Sequence, residues 1–245
     1  MARTIDYESR KRAVLTSVIN RYIGEVSPVA SEDVAGEFNL SSASIRNIFV
    51  ELEEAGYLTH PYTSAGRVPT NKGYRYYVDY LLSQMELPSE EKESILGEFR
   101  RRAARLDDAL EKTSEIISAL THYAGIVSSC DQENKFFYRG VSFILDQPEF
   151  QDLNRMRFFI RMMEEKRELL EIINRDFKEK VKIYIGEELG CREIDNCSLV
   201  VSSYRIEDRP VGRLAVIGPM RMKYDRIIPT LEYVSDILTD ALETI

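Results

Sequence analysis

Apolar positions near the start of the chain recur with a helical period. Val14, Leu15, Val18, Ile19, Tyr22 and Ile23 share one face, which predicts a helix from about Tyr7 to Tyr22 with Gly24 as its stop. Pro28 opens the next segment, and Ser31 is an N-cap for a short helix that turns Val34, Ala35 and Phe38 inward. Asn39-Leu40-Ser41 reads as a turn. A third helix follows from about Ser42 to Ala55, with Ile45, Phe49 and Leu52 inward and Gly56 just past its end. Two helices joined by a tight turn, preceded by a third, form a helix-turn-helix pattern.

After Gly56 the period shortens. Tyr57-Leu58-Thr59-His60 and Arg67-Val68-Pro69 are extended runs on either side of Pro61-Tyr62-Thr63-Ser64-Ala65-Gly66. They predict a hairpin with a small-residue tip, where Gly66 takes a positive φ. A hairpin behind a recognition helix is a wing. Thr70 then caps a helix over residues 71–82, on which Tyr74, Tyr77 and Tyr80 repeat as core positions.

From Pro88-Ser89 one long helix is expected to about Tyr123. Leu96, Phe99, Ala103, Leu106, Leu110, Thr113, Ile117 and Leu120 follow an unbroken 3-4-3-4 spacing within it. Such a seam must bury against something. We assign it to a contact between subunits, carried by Leu96, Phe99, Leu106, Leu110, Ile117 and Leu120; the alternative is a helix packed on its own core. The remainder predicts a strand over Phe136–Leu145, a helix from Pro148 to about Glu165 and more helix to Phe177. Strands at Val181–Ile185, Ser198–Tyr204 and Val211–Ile217 and a last helix from about Tyr224 to Leu242 complete it. The fold class is therefore α+β, with units at 1–82, 83–124 and 125–245.

Composition narrows the function. The 245 residues are 44% hydrophobic and 30% charged, which suits packed cores. No run of apolar residues is long enough to span a membrane, and no apolar segment follows the basic residues of the N-terminus as in a secretory signal. Cys130, Cys191 and Cys197 are too scattered for a disulfide framework, and with only His60 and His122 beside them they make no zinc set. The expectation is a reduced, cytoplasmic protein with no metal and no cofactor. The net charge of −8 argues against indiscriminate polyanion binding. That charge lies almost wholly beyond residue 82, and no acidic residue occurs from Gly56 to Val78.

The candidate chemistry is nucleic-acid recognition. Ser42, Ser44, Arg46 and Asn47 lie near the start of the third helix, away from its inward face. Arg bonds guanine and Asn bonds adenine in a major groove, and a helix N-terminus with serine hydroxyls meets phosphate. Thr63, Ser64 and Arg67 of the wing, with Lys72 and Arg75 beyond it, extend the surface toward backbone or minor groove. Catalysis lacks support. Glu164-Glu165 and Glu187-Glu188 read as solvated pairs, and no nucleophile–base set or phosphate-cradling glycine loop is present.

PVASEDVAGEFNLSSASIRN (28–47), LEEAGYLTHPYTSAGRVPTNKGYRYYVDYLL (52–82) and RPVGRLAVIGPMRMKYDRIIP (209–229) closely resemble the HrcA family of heat-inducible transcription repressors. FILDQPEF (143–150) and KIYIGEE (182–188) are similar to further family motifs. The resemblance implies a winged helix-turn-helix ahead of a GAF-like domain, with homodimers binding double-stranded DNA at an inverted-repeat operator upstream of chaperone genes. It also implies a GroEL-type chaperonin as the partner that keeps the repressor active. The chain departs from the family in two places. It is shorter between roughly Ile126 and Arg139, where the family carries early GAF-like strands and an inserted dimerisation domain, so the GAF-like domain is expected to be incomplete. Ile48 and Phe49 also replace a more polar pair in the third helix, and Ile48 is expected on a partly exposed face, within reach of a thymine methyl. The alternative function is a ligand-sensing regulator whose GAF-like domain binds a small molecule.

Overall fold

The computed structural model describes residues 2–62, 65–81, 86–100, 106–130, 135–176, 179–206 and 209–242, without the side chains of 2–6, 81 and 98–100. Thr63 and Ser64 of the expected wing, and Phe99 and Ala103 of the expected seam, therefore lie outside the described residues or side chains. The chain divides into two compact units, Met1–Ser83 and Gln84–Ile245.

In the first unit α1 spans Ala2–Glu25 and buries Val14, Leu15, Val18 and Ile19. Gly24 does not stop it. The helix runs through that glycine and ends where Val26 takes a φ of 55°. α2, Ser31–Ala35, is capped by Asp33, whose Oδ2 accepts the Ala30 N–H at 2.8 Å, so Ser31 is the first helical residue rather than the cap. A single 3₁₀ turn, Gly36–Phe38, leads to Asn39 in the left-handed region (φ 52°), a conformation Asn tolerates better than most residues. Chain direction changes there, and α3, Ser42–Glu54, begins.

Strands β1, Leu58–Thr59, and β2, Val68–Pro69, pair antiparallel, and a bridge between Val29 and Arg67 adds a third short edge. α4, Asn71–Leu81, follows Thr70, whose Oγ1 accepts the Gly73 N–H at 3.1 Å. Tyr74 and Tyr77 enter the core as expected; Tyr80 does not, remaining 45% exposed.

The second unit begins with α5, Ser89–Arg100, and α6, Leu106–Thr121, which touch one another and both touch the last helix. Residues 101–105 of the single rod expected from Pro88 to Tyr123 lie outside the described residues. Leu110, Thr113 and Ile117 are fully buried within their own unit, because α6 packs on the sheet strand that follows it. Leu96 is half-buried, and only Leu106 and Leu120 of the described seam are exposed. Half of the six seam positions with described side chains are thus used inside one chain.

That sheet strand is β3, Ala124–Ser129, an all-buried stretch of small and apolar residues that the sequence pattern did not assign. β4, Phe136–Arg139, pairs with it and ends sooner than expected, since Val141–Leu145 forms the short α7. Pro148 opens a 3₁₀ turn, Pro148–Phe150. α8, Leu153–Glu165, then starts separately, with Asp152 Oδ1 accepting two backbone N–H groups at 2.9 Å. Lys166 (φ 61°) separates α8 from α9, Arg167–Ile173. β5, Val181–Ile185, β6, Cys197–Ile206, and β7, Arg209–Pro219, precede α10, Tyr224–Leu242.

Among the described residues the sheet has five strands, ordered β4-β3-β7-β6-β5, and every pairing is antiparallel. α6 and α10 pack on it, and the Tyr224 hydroxyl donates to Ser198 Oγ at 2.7 Å to fix α10 against β6. The fold is α+β. Among the described residues no helix is long and apolar enough to cross a membrane.

Candidate nucleic-acid interface

α3 is held firmly at both ends. At its start Ser41 Oγ accepts the Ser44 N–H at 3.1 Å and lies 2.9 Å from Ser44 Oγ. At its end Lys72 Nζ donates to the Ala55 carbonyl at 2.8 Å, a cation at the negative end of the helix, while packing 4.6 Å from the centre of the Tyr57 ring. Gly56 follows with a φ of 77°, as the stop position required. Ile45, Ile48, Phe49 and Leu52 are buried beneath the helix.

Ile48 is thus a core residue, 2% exposed, and cannot reach a base. An inward face of Ile45, Ile48, Phe49 and Leu52 has the i, i+3, i+4, i+7 spacing of a helix stripe, so position 48 is apolar for packing. The outward stripe is Ala43, Arg46, Asn47 and Val50, all exposed. Arg46 and Asn47 make no side-chain hydrogen bond or ion pair to the described residues, and both are available to an external acceptor or donor.

The acidic residues of α3 are turned to other uses. Glu51 accepts from the Tyr7 hydroxyl at 2.6 Å and pairs with Lys11 at 3.2 Å, and these contacts hold its carboxyl below the usual range, the tyrosine hydrogen bond first. Glu53 Oε2 pairs with Arg67 at 2.8 Å and its other oxygen meets His60 Nδ1. The sequence marked neither Glu51 nor Glu53, because nothing in the spacing of one carboxylate identifies its partner.

Arg67 is placed differently from expectation. Its side chain is 18% exposed, with the guanidinium on Glu53 and a second donation to the Ala65 carbonyl at 3.4 Å. Its backbone exchanges hydrogen bonds of 2.9 and 2.8 Å with Val29. Gly66 is required by this approach and not by a positive φ, since a Cβ there would lie 2.4 Å from the Val29 carbonyl oxygen. Of the other expected contacts, Ser42 and Ser44 are half-buried, Lys72 is exposed but anchored on α3, and Arg75 pairs with Asp79 at 3.3 Å. Tyr62, 64% exposed beside the hairpin tip, and Val50 joined the surface without having been singled out. Counting four residues from Arg46 and three from Asn47 finds Val50.

Comparison with known proteins gives this surface a context. Residues 127–228 match the family model for the HrcA protein C-terminal domain. Across 95% of its length the chain is 27% identical to the heat-inducible transcription repressor HrcA of Symbiobacterium thermophilum, with 98% of that protein covered. Along nearly its whole length the chain is similar to HrcA repressors. HrcA repressors of Bacillus pumilus (26% identical, 97% of this chain, 98% of the relative) and Geobacter sulfurreducens (27%, 97% and 99%) are similar to the same extent. A crystal structure described only as that of a hypothetical protein shares the fold, with a TM-score of 0.81 at 18% identity over 96% of this chain and 98% of that one. The HrcA alignments run over 334 to 338 positions against 245 residues here, so a long stretch of each relative has no counterpart in this chain. These relatives are named heat-inducible transcription repressors, a regulatory role.

Proposed function

We propose that this chain represses chaperone genes in the cytoplasm by binding double-stranded DNA as a homodimer at an inverted-repeat operator. α3 serves as the recognition helix of a winged helix-turn-helix and the β1–β2 hairpin as its wing. The observation that carries this reading is the outward stripe of α3, where Arg46 and Asn47 stand exposed and uncommitted on a helix capped by Ser41 and anchored by Lys72. Arg46 suits guanine and Asn47 suits adenine. Lys72, Arg75 and the hairpin tip with Thr63 and Ser64 are assigned to phosphate, which positions the helix without reading sequence.

An inverted repeat needs two heads related by a twofold axis, spaced by one turn of duplex or a multiple of it. The five-stranded unit is the GAF-like domain of this reading, and the exposed Leu106 and Leu120 of α6 are the seam positions left for a partner subunit. A GroEL-type chaperonin is proposed as the factor that restores the folded repressor after heat. This requires only a modest margin of stability, since a loss of 1–2 kcal/mol is enough to change occupancy several-fold.

Selection of duplexes from a random pool by the intact chain, with solution mass recorded alongside, tests the reading. An inverted repeat, a two-chain mass, a steep salt dependence and a loss of about tenfold or more with Arg46→Ala are expected. Protection of no duplex at any salt concentration overturns it.

A further inference from the structure

We propose that Val50 is a base-reading residue that recognises the C5-methyl group of a thymine in the major groove. This rests on the DNA-binding reading above and specifies part of its sequence preference.

The side chains of α3 divide cleanly by use. Ile45, Ile48, Phe49 and Leu52 are each 5% exposed or less and form the inner face. Val50 is the large apolar residue of this helix that the core does not take, at 42% exposure. A single exposed valine is ordinary on a protein surface. Its register makes this one informative. It lies four residues after Arg46 and three after Asn47, so the three side chains are neighbours on one stripe, one turn apart along the axis.

That stripe also lacks opposing charge along its first turns. Ser42 to Val50 contains no acid, and of the three that follow, Glu51 and Glu53 are paired within the unit to Lys11 and Arg67. Ala43, the stripe's first member, has a side chain small enough to let the helix start approach closely. A groove that admits Arg46 and Asn47 therefore receives Val50 as well.

The chemistry of the groove leaves Val50 one kind of partner. Base edges there present hydrogen-bond donors and acceptors, to which a valine offers nothing, and a single apolar group, the thymine methyl. Burying that methyl against the valine removes apolar surface of both from water. Ile48, the residue the sequence pattern suggested for this contact, is shut in the core, and the role passes to the residue half a turn along.

The test uses the duplex that the intact chain itself selects from a random pool. Each thymine is replaced in turn by deoxyuridine, which keeps every hydrogen-bonding group and removes only the methyl. At one thymine per half-site the wild-type protein should lose about three- to fivefold in affinity. Val50→Ala, a change at an exposed helical position that favours the helix, should lose a similar factor on the unmodified duplex and show no further loss on the deoxyuridine one. Indifference of the wild type at every thymine overturns the proposal, as does an equal deoxyuridine loss in both proteins. Failure to bind any duplex instead overturns the DNA-binding reading beneath it, so the two failures are distinguishable.

Discussion

Arg67 of the hairpin and Glu53 of α3 are joined by an ion pair of 2.8 Å, with the arginine side chain 18% exposed and the glutamate 26%. The pair ties the residue just before β2 to α3, so the angle between hairpin and helix is set by a side-chain contact as well as by the backbone. We expect Arg67 to act as a positioning residue as well as a cation.

The two roles make opposite predictions for Glu53→Gln. If Arg67 mattered only as a cation, removing its carboxylate partner would release it toward DNA and tighten binding. As a strut it should do the reverse, and we expect Glu53→Gln to weaken binding by about two- to fivefold, with Arg67→Ala at least as damaging. In a double-mutant cycle followed by urea unfolding of the intact chain, the pair should couple by about 0.5–1 kcal/mol, modest because both side chains keep some solvent. Tighter binding of Glu53→Gln would reject the strut.

Gly66 and Gly56 should respond differently to alanine. At Gly66 the new Cβ would meet the Val29 carbonyl oxygen at 2.4 Å and the Pro28 carbonyl carbon at 2.8 Å, both backbone atoms that cannot rotate away. At Gly56 the space is open, with Lys72 Cδ at 3.9 Å, and only the φ of 77° is unfavourable. Gly66→Ala should cost about 2–3 kcal/mol and Gly56→Ala about 1 kcal/mol, read from urea midpoints with tyrosine fluorescence. Equal costs would mean that the hairpin base relaxes more readily than its contacts imply.

What the sequence made legible was whatever local periodicity decides. α3 with its stop at Gly56, the hairpin after it, the cap at Thr70 and α10 follow from patterns within a few residues. What it hid depended on distant partners. β3 is a buried strand whose neighbours, β4 and β7, lie on either side of it in the sheet, and its small residues carry no alternation to announce it. The seam on α6 has the same spacing whether it faces a second subunit or the sheet beneath it. In the candidate site Arg46 and Asn47 are readable as exposed polar residues, whereas the pairing of Arg67 with Glu53, fourteen residues away, is not legible in local spacing.

The first unit should be acid-sensitive through Glu37. Ser17 donates to one of its oxygens at 2.5 Å and Arg21 Nε to the other at 2.8 Å, and these contacts, the serine first, hold its carboxyl below the ordinary value of 4.5. The folded state therefore releases this proton more readily than the unfolded chain does. Its stabilising effect is complete above the unfolded value and disappears as pH falls from there through the folded one. Glu51, lowered by Tyr7 and then Lys11, acts in the same direction. Urea midpoints of the intact chain at pH 5.5 and at about pH 3 should fall less for Glu37→Gln than for wild type. An unchanged pH dependence in that variant would remove Glu37 from the account.

Positions of the α6 seam should separate into two classes. Leu110 and Ile117 are fully buried in their own unit, and truncating either to alanine should cost about 2–5 kcal/mol by opening a cavity under the sheet. Neither change removes surface that a second subunit can touch, so the mass in solution should stay that of wild type under conditions where the variant remains folded. Leu106 and Leu120 are 37% and 40% exposed and contribute little to the core. The paired change Leu106→Glu and Leu120→Glu should leave the unfolding midpoint within about 0.5 kcal/mol of wild type. If these two leucines form the contact between subunits, it should also shift the mass toward a single chain and lower operator affinity, since one head alone grips a half-site. Analytical ultracentrifugation beside urea unfolding distinguishes the classes. A dimer that survives the double glutamate change would place the contact elsewhere on the chain.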